Sequence, residues 1–304
     1  MSRTFGRILN GLLGCIARLP LGVLYVFSDL IYLVVYYIVR YRVKVVRRNL
    51  AEAFPQKSKK ELKKIEREFY RYLSETIVET VKLLHISDEE LARRVTVENV
   101  DLVNETLKEG RSVALLIAHY GNWEWVQEAC RNFIGSKFTA AIYHPLNDKT
   151  WDGIYLGIRS RWNFNMIPQK QSVKKLLNRE NQPWVCGFLA DIRPHYVANQ
   201  PTVPFLNHHT GFVYGPEVIS RKVGADLFFL EMRREKRGHY HVTFHKLEPE
   251  NSVQEQADNP YPYTRSFWTK LERIITEKPS YWLWSHKRWK SDKLISAPPH
   301  PESR

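Results

Sequence analysis

The chain has 304 residues and a mass of 36.0 kDa, which allows one large domain or a domain with an appendage. Its content of 43% hydrophobic residues, with only 14 Gly and 16 Pro, excludes a disordered or fibrous protein. The formal net charge is +14, but the sequence has no zinc-finger, RNA-binding or basic-heptad signature, so we expect no nucleic-acid partner. The three cysteines are far apart and predict neither a disulfide framework nor a metal site.

An apolar segment runs from Leu19 to Val39 and is followed by a basic cluster from Arg40 to Arg48. As a helix, these 21 residues would reach about 31 Å, enough to cross a bilayer. The basic cluster favours anionic headgroups and a cytoplasmic position for the chain that follows. Asp29 near the middle would cost roughly 3 kcal/mol inside a bilayer, so a segment lying in one leaflet stays open as an alternative. Both interpretations predict a membrane anchor over residues 1–48.

A second helical region follows the anchor. Ser58 and Glu61 have the spacing of a capping box, and apolar residues then recur at helical intervals as far as His85. We predict that residues 49–94 form a helical brace with one buried face and a solvated Lys/Glu face.

From about residue 95 onward, short apolar runs alternate with helical stretches. The predicted strands are 112–118, 137–143, 183–189, 225–232 and 239–245, with helices near 123–134, 147–161, 171–180 and 215–223. This alternation predicts an α/β domain over 95–295, with a mixed, largely parallel sheet flanked by helices and an antiparallel pair at its end. A loop at 247–262, a terminal helix at 263–277 and a loose tail at 296–304 complete the prediction.

The stretch around His119 carries the chemistry. His119 begins the loop at the carboxyl end of a buried strand, where open α/β sheets bind their ligands. Gly121 permits a tight turn, and Asn122 can cap a helix whose first turn holds Glu124. We predict that this turn brings Glu124 onto one imidazole nitrogen and leaves the other to act as a general base. A purely structural histidine at the strand end is the alternative.

Other reaction types lack their signatures in the sequence. There is no G-x-S-x-G elbow, no cysteine in a comparable setting and no HExxH zinc spacing, so we predict neither a metal nor another cofactor.

His119-x4-Glu124 and the basic apolar N-terminus resemble the late acyltransferases of lipid A synthesis, the lauroyl/myristoyl transferases, within the wider H-x4-(D/E) acyltransferases. The more specific match is the run Pro279-Ser-Tyr-Trp-Leu-Trp-Ser-His-Lys-Arg-Trp-Lys290, which is similar to the closing signature of that family. The resemblance extends from the anchor to about residue 290. We expect the tryptophans of this run to pack in the core, and His286, Arg288 and Lys290 to face headgroups or solvent.

Further positions match the family pattern one by one. Tyr143-His144-Pro145 stands where the family usually has Tyr-Arg-Pro, Arg159 matches a helix arginine, and Asp191 matches the Asp of an Asp-Gln pair. Arg159 suits a phosphate or a developing oxyanion, with a solvated helix arginine as the alternative. Asp191 has two open interpretations, orienting Arg159 or capping the next turn.

The resemblance implies a membrane-bound O-acyltransferase on the cytoplasmic side of a bacterial inner membrane. Its donor would be an acyl thioester of acyl carrier protein, or of CoA, and its acceptor a hydroxyl of a lipid A precursor. Two alternatives stay open, namely acylation of another phospholipid, glycolipid or amino-acid lipid, and a non-catalytic protein that binds anionic membranes.

Overall fold

The computed structural model describes residues 3–126, 136, 138–159, 164–179, 182–194, 200–250 and 260–289. Most of the helix predicted at 123–134 and the whole predicted tail at 296–304 lie outside these residues, as does the middle of the predicted loop at 247–262.

The N-terminal region is helical. It comprises α1 Arg3–Arg18, α2 Leu21–Leu33 with a π-helical extension Val34–Ile38, α3 Val43–Ala53 and α4 Lys59–Lys82. The predicted capping box is present, because Ser58 Oγ accepts from the Glu61 amide while the Glu61 carboxylate accepts from the Ser58 amide. The predicted apolar segment forms a helix of 18 residues, from Leu21 to Ile38. Its length and composition would allow it to cross a membrane.

Helix α4 departs from the prediction of a fully solvated Lys/Glu face. Glu66, Glu75 and Glu79 are buried on α4, each beside cationic or hydroxyl partners from other elements. The periodicity of apolar residues identified the helix but could not show that its acids also face the protein, because a buried carboxylate depends on partners distant in the sequence.

The α/β part contains two short helices, α5 Asp88–Arg94 and α6 Val100–Lys108, and then a sheet flanked by α7 Lys149–Arg159, α8 Ser172–Leu177, α9 Gly215–Val223 and α10 Pro262–Glu277. The strands are β1 Val95–Glu98, β2 Val113–Ile117, β3 Thr139–Tyr143, β4 Asn165–Pro168, β5 Val185–Leu189, β6 Thr202–Phe205, β7 His208–Gly211, β8 Asp226–Lys236 and β9 His239–Lys246. Seven of them form one sheet in the order β1-β9-β8-β2-β5-β3-β4, and β6 and β7 form a separate hairpin.

The predicted fold class is confirmed. All pairings within the large sheet are parallel except β8 with β9, which is the antiparallel pair expected from the sequence. Four short strands were missed, namely β1, β4, β6 and β7. Each is only four residues long, too short for a clear alternation of apolar and polar residues.

The order of the central strands brings His119 and Asp191 to the same edge of the sheet. β2 lies between β8 and β5, and its register pairs Ile117 with Leu189 of β5. Because these strands are parallel neighbours, the residues just beyond their carboxyl ends meet at the same edge of the sheet. His119 and Asp191 each follow their paired strand end by two residues, so they continue this register into the loops.

Candidate active site

His119 is held by Asp191. Its Nδ1 lies 2.7 Å from Asp191 Oδ1, and its backbone N–H donates to Asp191 Oδ2 at 3.1 Å. Asp191 is 1% exposed. Burial alone would raise the pKa of this carboxyl, but the charge and hydrogen bond of His119, together with Arg288 and Trp282, hold the pKa well below its usual range. An ionised carboxylate only accepts, so His119 carries its proton on Nδ1 and its Nε2 is available as a base.

The predicted contact between His119 and Glu124 is wrong. Glu124 instead accepts two hydrogen bonds from Arg159, from Nε at 2.9 Å and from Nη2 at 2.5 Å. This bidentate pair is almost fully buried on the carboxylate side, and Arg159 also lies over the ring of Tyr155. Of the two interpretations of Asp191 that the sequence left open, the one in which it orients Arg159 is wrong, because the Arg159 guanidinium is held by Glu124. The four residues meet at one site, but the two carboxylates have exchanged partners.

The turn between His119 and Glu124 has a defined conformation. Gly121 has a φ of +63°, and a Cβ there would lie 2.5 Å from the carbonyl oxygen of Met232. Asn122 Oδ1 accepts from the Trp125 amide at 3.3 Å, which is the capping contact expected from the sequence. The turn therefore directs Glu124 away from the imidazole and toward α7.

A buried carboxylate lies behind this turn. Glu79 of α4 is 0% exposed and accepts from the Asn122 side-chain amide at 2.6 Å, from Tyr240 Oη at 2.6 Å and from Tyr25 Oη at 2.8 Å. Its backbone carbonyl accepts from the Trp125 indole. Burial raises the pKa of Glu79 in spite of these donors. Glu79 thus joins α2, α4 and the sheet to the turn that carries the site.

The predicted site residues border one cavity of about 510 Å³. His119, Tyr143, His144 and Arg159 line it directly, with Asp191 and Glu124 behind His119 and Arg159. Most of the remaining wall is apolar, and includes Ile142, Phe188, Leu189, Ile192, Phe212, Val213 and Ile219. A cavity of this size with few polar groups is typical of a small-molecule site.

A second cleft, of about 1200 Å³, lies between β4 and α8. It contains none of the predicted site residues, and polar side chains contribute much of its wall, among them Lys174, Lys175 and Arg179. The grouping of titratable residues around the smaller cavity identifies that cavity as the candidate active site.

The C-terminal run contributes more to the site than its sequence pattern predicts. Trp282 donates its indole N–H to Asp191 Oδ2 at 2.9 Å, and the Arg288 guanidinium lies 3.8 Å from the same oxygen. Arg288 is 2% exposed, so the expectation that it faces headgroups or solvent is wrong. Burial, together with the charge of Arg288, lowers the pKa of the half-buried His286 to about 4. Lys290 lies outside the described residues. The signature run thus supports the carboxylate that holds His119.

The backbone contacts of this run show the same support. Leu283 N–H donates to the His119 carbonyl, and Gly121 N–H donates to the Tyr281 carbonyl. The density of aromatic residues around Pro279 was the available signal, but it could not reveal contacts to residues more than 150 positions earlier.

Comparison with known proteins shows the family to which this chain belongs. The family model for bacterial lipid A biosynthesis acyltransferases matches residues 3–291. The chain is 24% identical over 257 residues to the lipid A biosynthesis palmitoleoyltransferase of Escherichia coli (strain K12), which covers 82% of this chain and 79% of that protein. It is 23% identical over 286 residues to the lipid A biosynthesis lauroyltransferase of the same strain, which covers 92% of this chain and 90% of that protein. Because the family model matches nearly the whole chain, the protein belongs to the bacterial lipid A biosynthesis acyltransferases and is an acyltransferase.

Proposed function

We propose that this enzyme transfers a fatty acyl chain from the thioester of an acyl carrier protein to a hydroxyl of a lipid A precursor, at the cytoplasmic face of a bacterial inner membrane. The observation that carries the proposal is the His119–Asp191 pair at the wall of a largely apolar cavity. The two relatives named above are palmitoleoyl and lauroyl transferases, which supports a fatty acyl substrate.

In the proposed mechanism, His119 is the general base and Asp191 its orienting partner. Nε2 removes the proton of the acceptor hydroxyl as its oxygen attacks the thioester carbonyl, and Asp191 stabilises the imidazolium that forms. The carbon–sulfur bond then breaks, and the departing thiolate takes the proton from His119. These steps transfer the acyl chain directly to the acceptor and form no covalent acyl-enzyme.

Arg159 is proposed to stabilise the oxyanion of the tetrahedral intermediate. Its Nε and Nη2 are fixed on Glu124, which holds the guanidinium plane at the cavity wall before the substrate enters. Glu124 therefore contributes to the site by orienting Arg159. Tyr143 and His144 line the same cavity, Tyr143 half-buried and His144 exposed, and both are proposed to contact the substrate.

A membrane assay with acyl thioester and purified lipid A precursor tests the proposal. We expect His119→Ala to lower the transfer rate by about 10²–10⁴-fold, the usual contribution of a general base. The control is His209→Ala, an exposed histidine of β7 outside the cavity, which should keep the wild-type rate. Near wild-type transfer by His119→Ala would rule out the assignment.

The acyl donor and the acceptor lipid are each identified by a separate measurement. Comparing kcat/KM for the same acyl chain on acyl carrier protein and on CoA identifies the donor. Mass spectrometry of lipids from a deletion strain identifies the acceptor, because the lipid that loses an ester is the substrate. Loss of an ester from a phospholipid, with lipid A unchanged, would contradict the proposed acceptor.

A further inference from the structure

The helix from Leu21 to Ile38 is apolar on the side that faces away from the protein. Its buried residues, Leu21, Leu24, Tyr25, Ser28, Tyr32 and Tyr36, recur at intervals of one to four and form one face. The opposite side, which we call the apolar face, is exposed and consists of Val23, Val26, Phe27, Leu30, Leu33, Val34, Tyr37 and Ile38. So large a set of contiguous exposed apolar residues indicates an interaction surface.

The other side of this helix is attached to α4 along its whole length. Near its start, Tyr25 donates to Glu79. In its middle, the ring of Tyr32 lies 5.3 Å from the Arg71 guanidinium, and near its end Tyr36 donates to Glu66. The two helices are therefore antiparallel and packed side by side.

The segments at both ends of the helix are held by the same protein body. Before it, Lys82 of α4 donates to the carbonyls of Ala17 and Leu19. After it, Tyr70 of α4 donates to the carbonyl of Tyr41. Residues on the two sides of the apolar segment thus contact one helix, α4.

This packing is incompatible with a helix that crosses the bilayer. In a spanning orientation, α4 would have to enter the hydrocarbon beside it, carrying the exposed Arg67, Glu68 and Arg71. The ion pair between the exposed Asp29 and the half-buried Arg237, 2.7 Å apart, would also lie near the bilayer centre. Charged groups at that depth are strongly unfavourable. If the helix lies in the interface instead, the same groups reach the headgroups or water.

We propose that the helix Leu21–Ile38 lies in the plane of one leaflet of an anionic bilayer, with its apolar face toward the acyl chains, and does not cross the membrane. The exposed Arg40, Arg42, Lys44, Arg47 and Arg48 follow its end directly, and their charge selects anionic headgroups as the partner. The residues before the helix are then on the same side of the membrane as the α/β domain. This proposal goes beyond acyl transfer and does not depend on it.

Cys15 offers a direct test, because it precedes the helix and is exposed, whereas Cys186 is buried. Cys130 lies outside the described residues and is replaced by serine in the test protein. A membrane-impermeant maleimide is applied to right-side-out and to inside-out membrane vesicles. The reference is a second protein in which Cys15 is also replaced by serine and the exposed Lys222 of α9 by cysteine.

We expect both cysteines to react from the same side of the membrane. Reaction from opposite sides would show a spanning helix and overturn the proposal. If lipid shields Cys15 from the reagent on both sides, Arg18→Cys at the exposed end of α1 gives the same readout.

Vesicle binding tests the apolar face itself. The full-length protein is mixed with phosphatidylglycerol or phosphatidylcholine vesicles and floated on a density gradient. We expect Leu30→Asp to reduce the floating fraction several-fold, and Leu102→Asp to leave it unchanged, since Leu102 is an exposed apolar residue of α6 and does not belong to this face. Wild-type binding by the Leu30 variant, or equal binding to both lipids, would contradict the proposed partner.

Discussion

Replacing Asp191 by asparagine should inactivate the enzyme through the histidine tautomer. Asp191 Oδ2 accepts from two fixed N–H groups, the His119 backbone amide and the Trp282 indole. In the Asp191→Asn variant, the oxygen of the new side-chain amide must keep this position, because an NH₂ group there would face two donors. The NH₂ group is then placed against His119 Nδ1, at the position 2.7 Å away that Oδ1 holds in the wild type.

The side-chain amide of Asp191→Asn determines which nitrogen of His119 carries the ring proton. An amide N–H pointing at Nδ1 requires that nitrogen to accept, so the ring proton moves to Nε2 and Nε2 can no longer act as a base. We expect Asp191→Asn to lower kcat by about 10²–10⁴-fold, comparable with loss of the base itself. KM should change little, because Asp191 lies behind His119 and does not line the cavity.

The assay compares initial transfer rates of Asp191→Asn and Glu124→Gln across pH. Glu124→Gln leaves the His119–Asp191 pair intact and weakens the fixation of Arg159, so we expect reduced activity with an unchanged shape of the pH–rate profile. A wild-type kcat in Asp191→Asn would refute the reasoning. So would a pH–rate profile whose shape changes in Glu124→Gln but not in Asp191→Asn.

The same carboxylate should affect acid stability. The folded-state pKa of Asp191 lies below its usual value, so its contribution to stability is present above about pH 4 and is lost as the pH falls toward the folded-state pKa. We therefore expect the free energy of unfolding to fall less steeply below about pH 4 in Asp191→Asn than in the wild type. Denaturant titrations at a series of pH values measure this slope. Parallel slopes would contradict the depressed pKa.

Substitutions at three further positions test the rest of the site. Arg159→Lys removes the bidentate fork on Glu124, and we expect kcat to fall about 10–10³-fold; an unchanged kcat would exclude the oxyanion role. Glu79→Leu leaves three buried donors without their acceptor, and thermal unfolding should show a loss of about 3 kcal/mol, with a smaller loss for Glu79→Gln; equal stability of both variants would contradict the role of Glu79 as an acceptor. Val213→Phe fills part of the cavity, so mass spectrometry of the products should show shorter acyl chains than the wild type; an unchanged chain length would mean that the acyl chain lies elsewhere.

The sequence identified most of the elements that build the site. Five of the seven strands of the large sheet, the capped helix α4 and the antiparallel pair β8–β9 follow from local patterns of apolar residues and turns. These patterns are readable because each lies within one segment of chain. The six predicted site residues also gather around one cavity, since strand ends and their following loops share an edge of the sheet.

The pairing of those residues was decided by tertiary structure. A spacing of five showed that Glu124 follows His119 across a turn, but not where its carboxylate points. The register of β2 with β5 brings Asp191, 72 positions later, onto His119, and the turn sends Glu124 to Arg159 of α7.

The N-terminal apolar segment also depends on both sequence and tertiary structure. Its apolar composition and basic flank are properties of the sequence, and they predicted an association with membrane. Only the structure shows that α2 packs along α4, because that contact depends on Glu66, Arg71 and Glu79, whose partners lie some 30 to 55 residues earlier in the chain. The local sequence determines the type of each element and the residues on each of its faces. Long-range packing determines which face is buried, which is exposed, and which charged side chains pair.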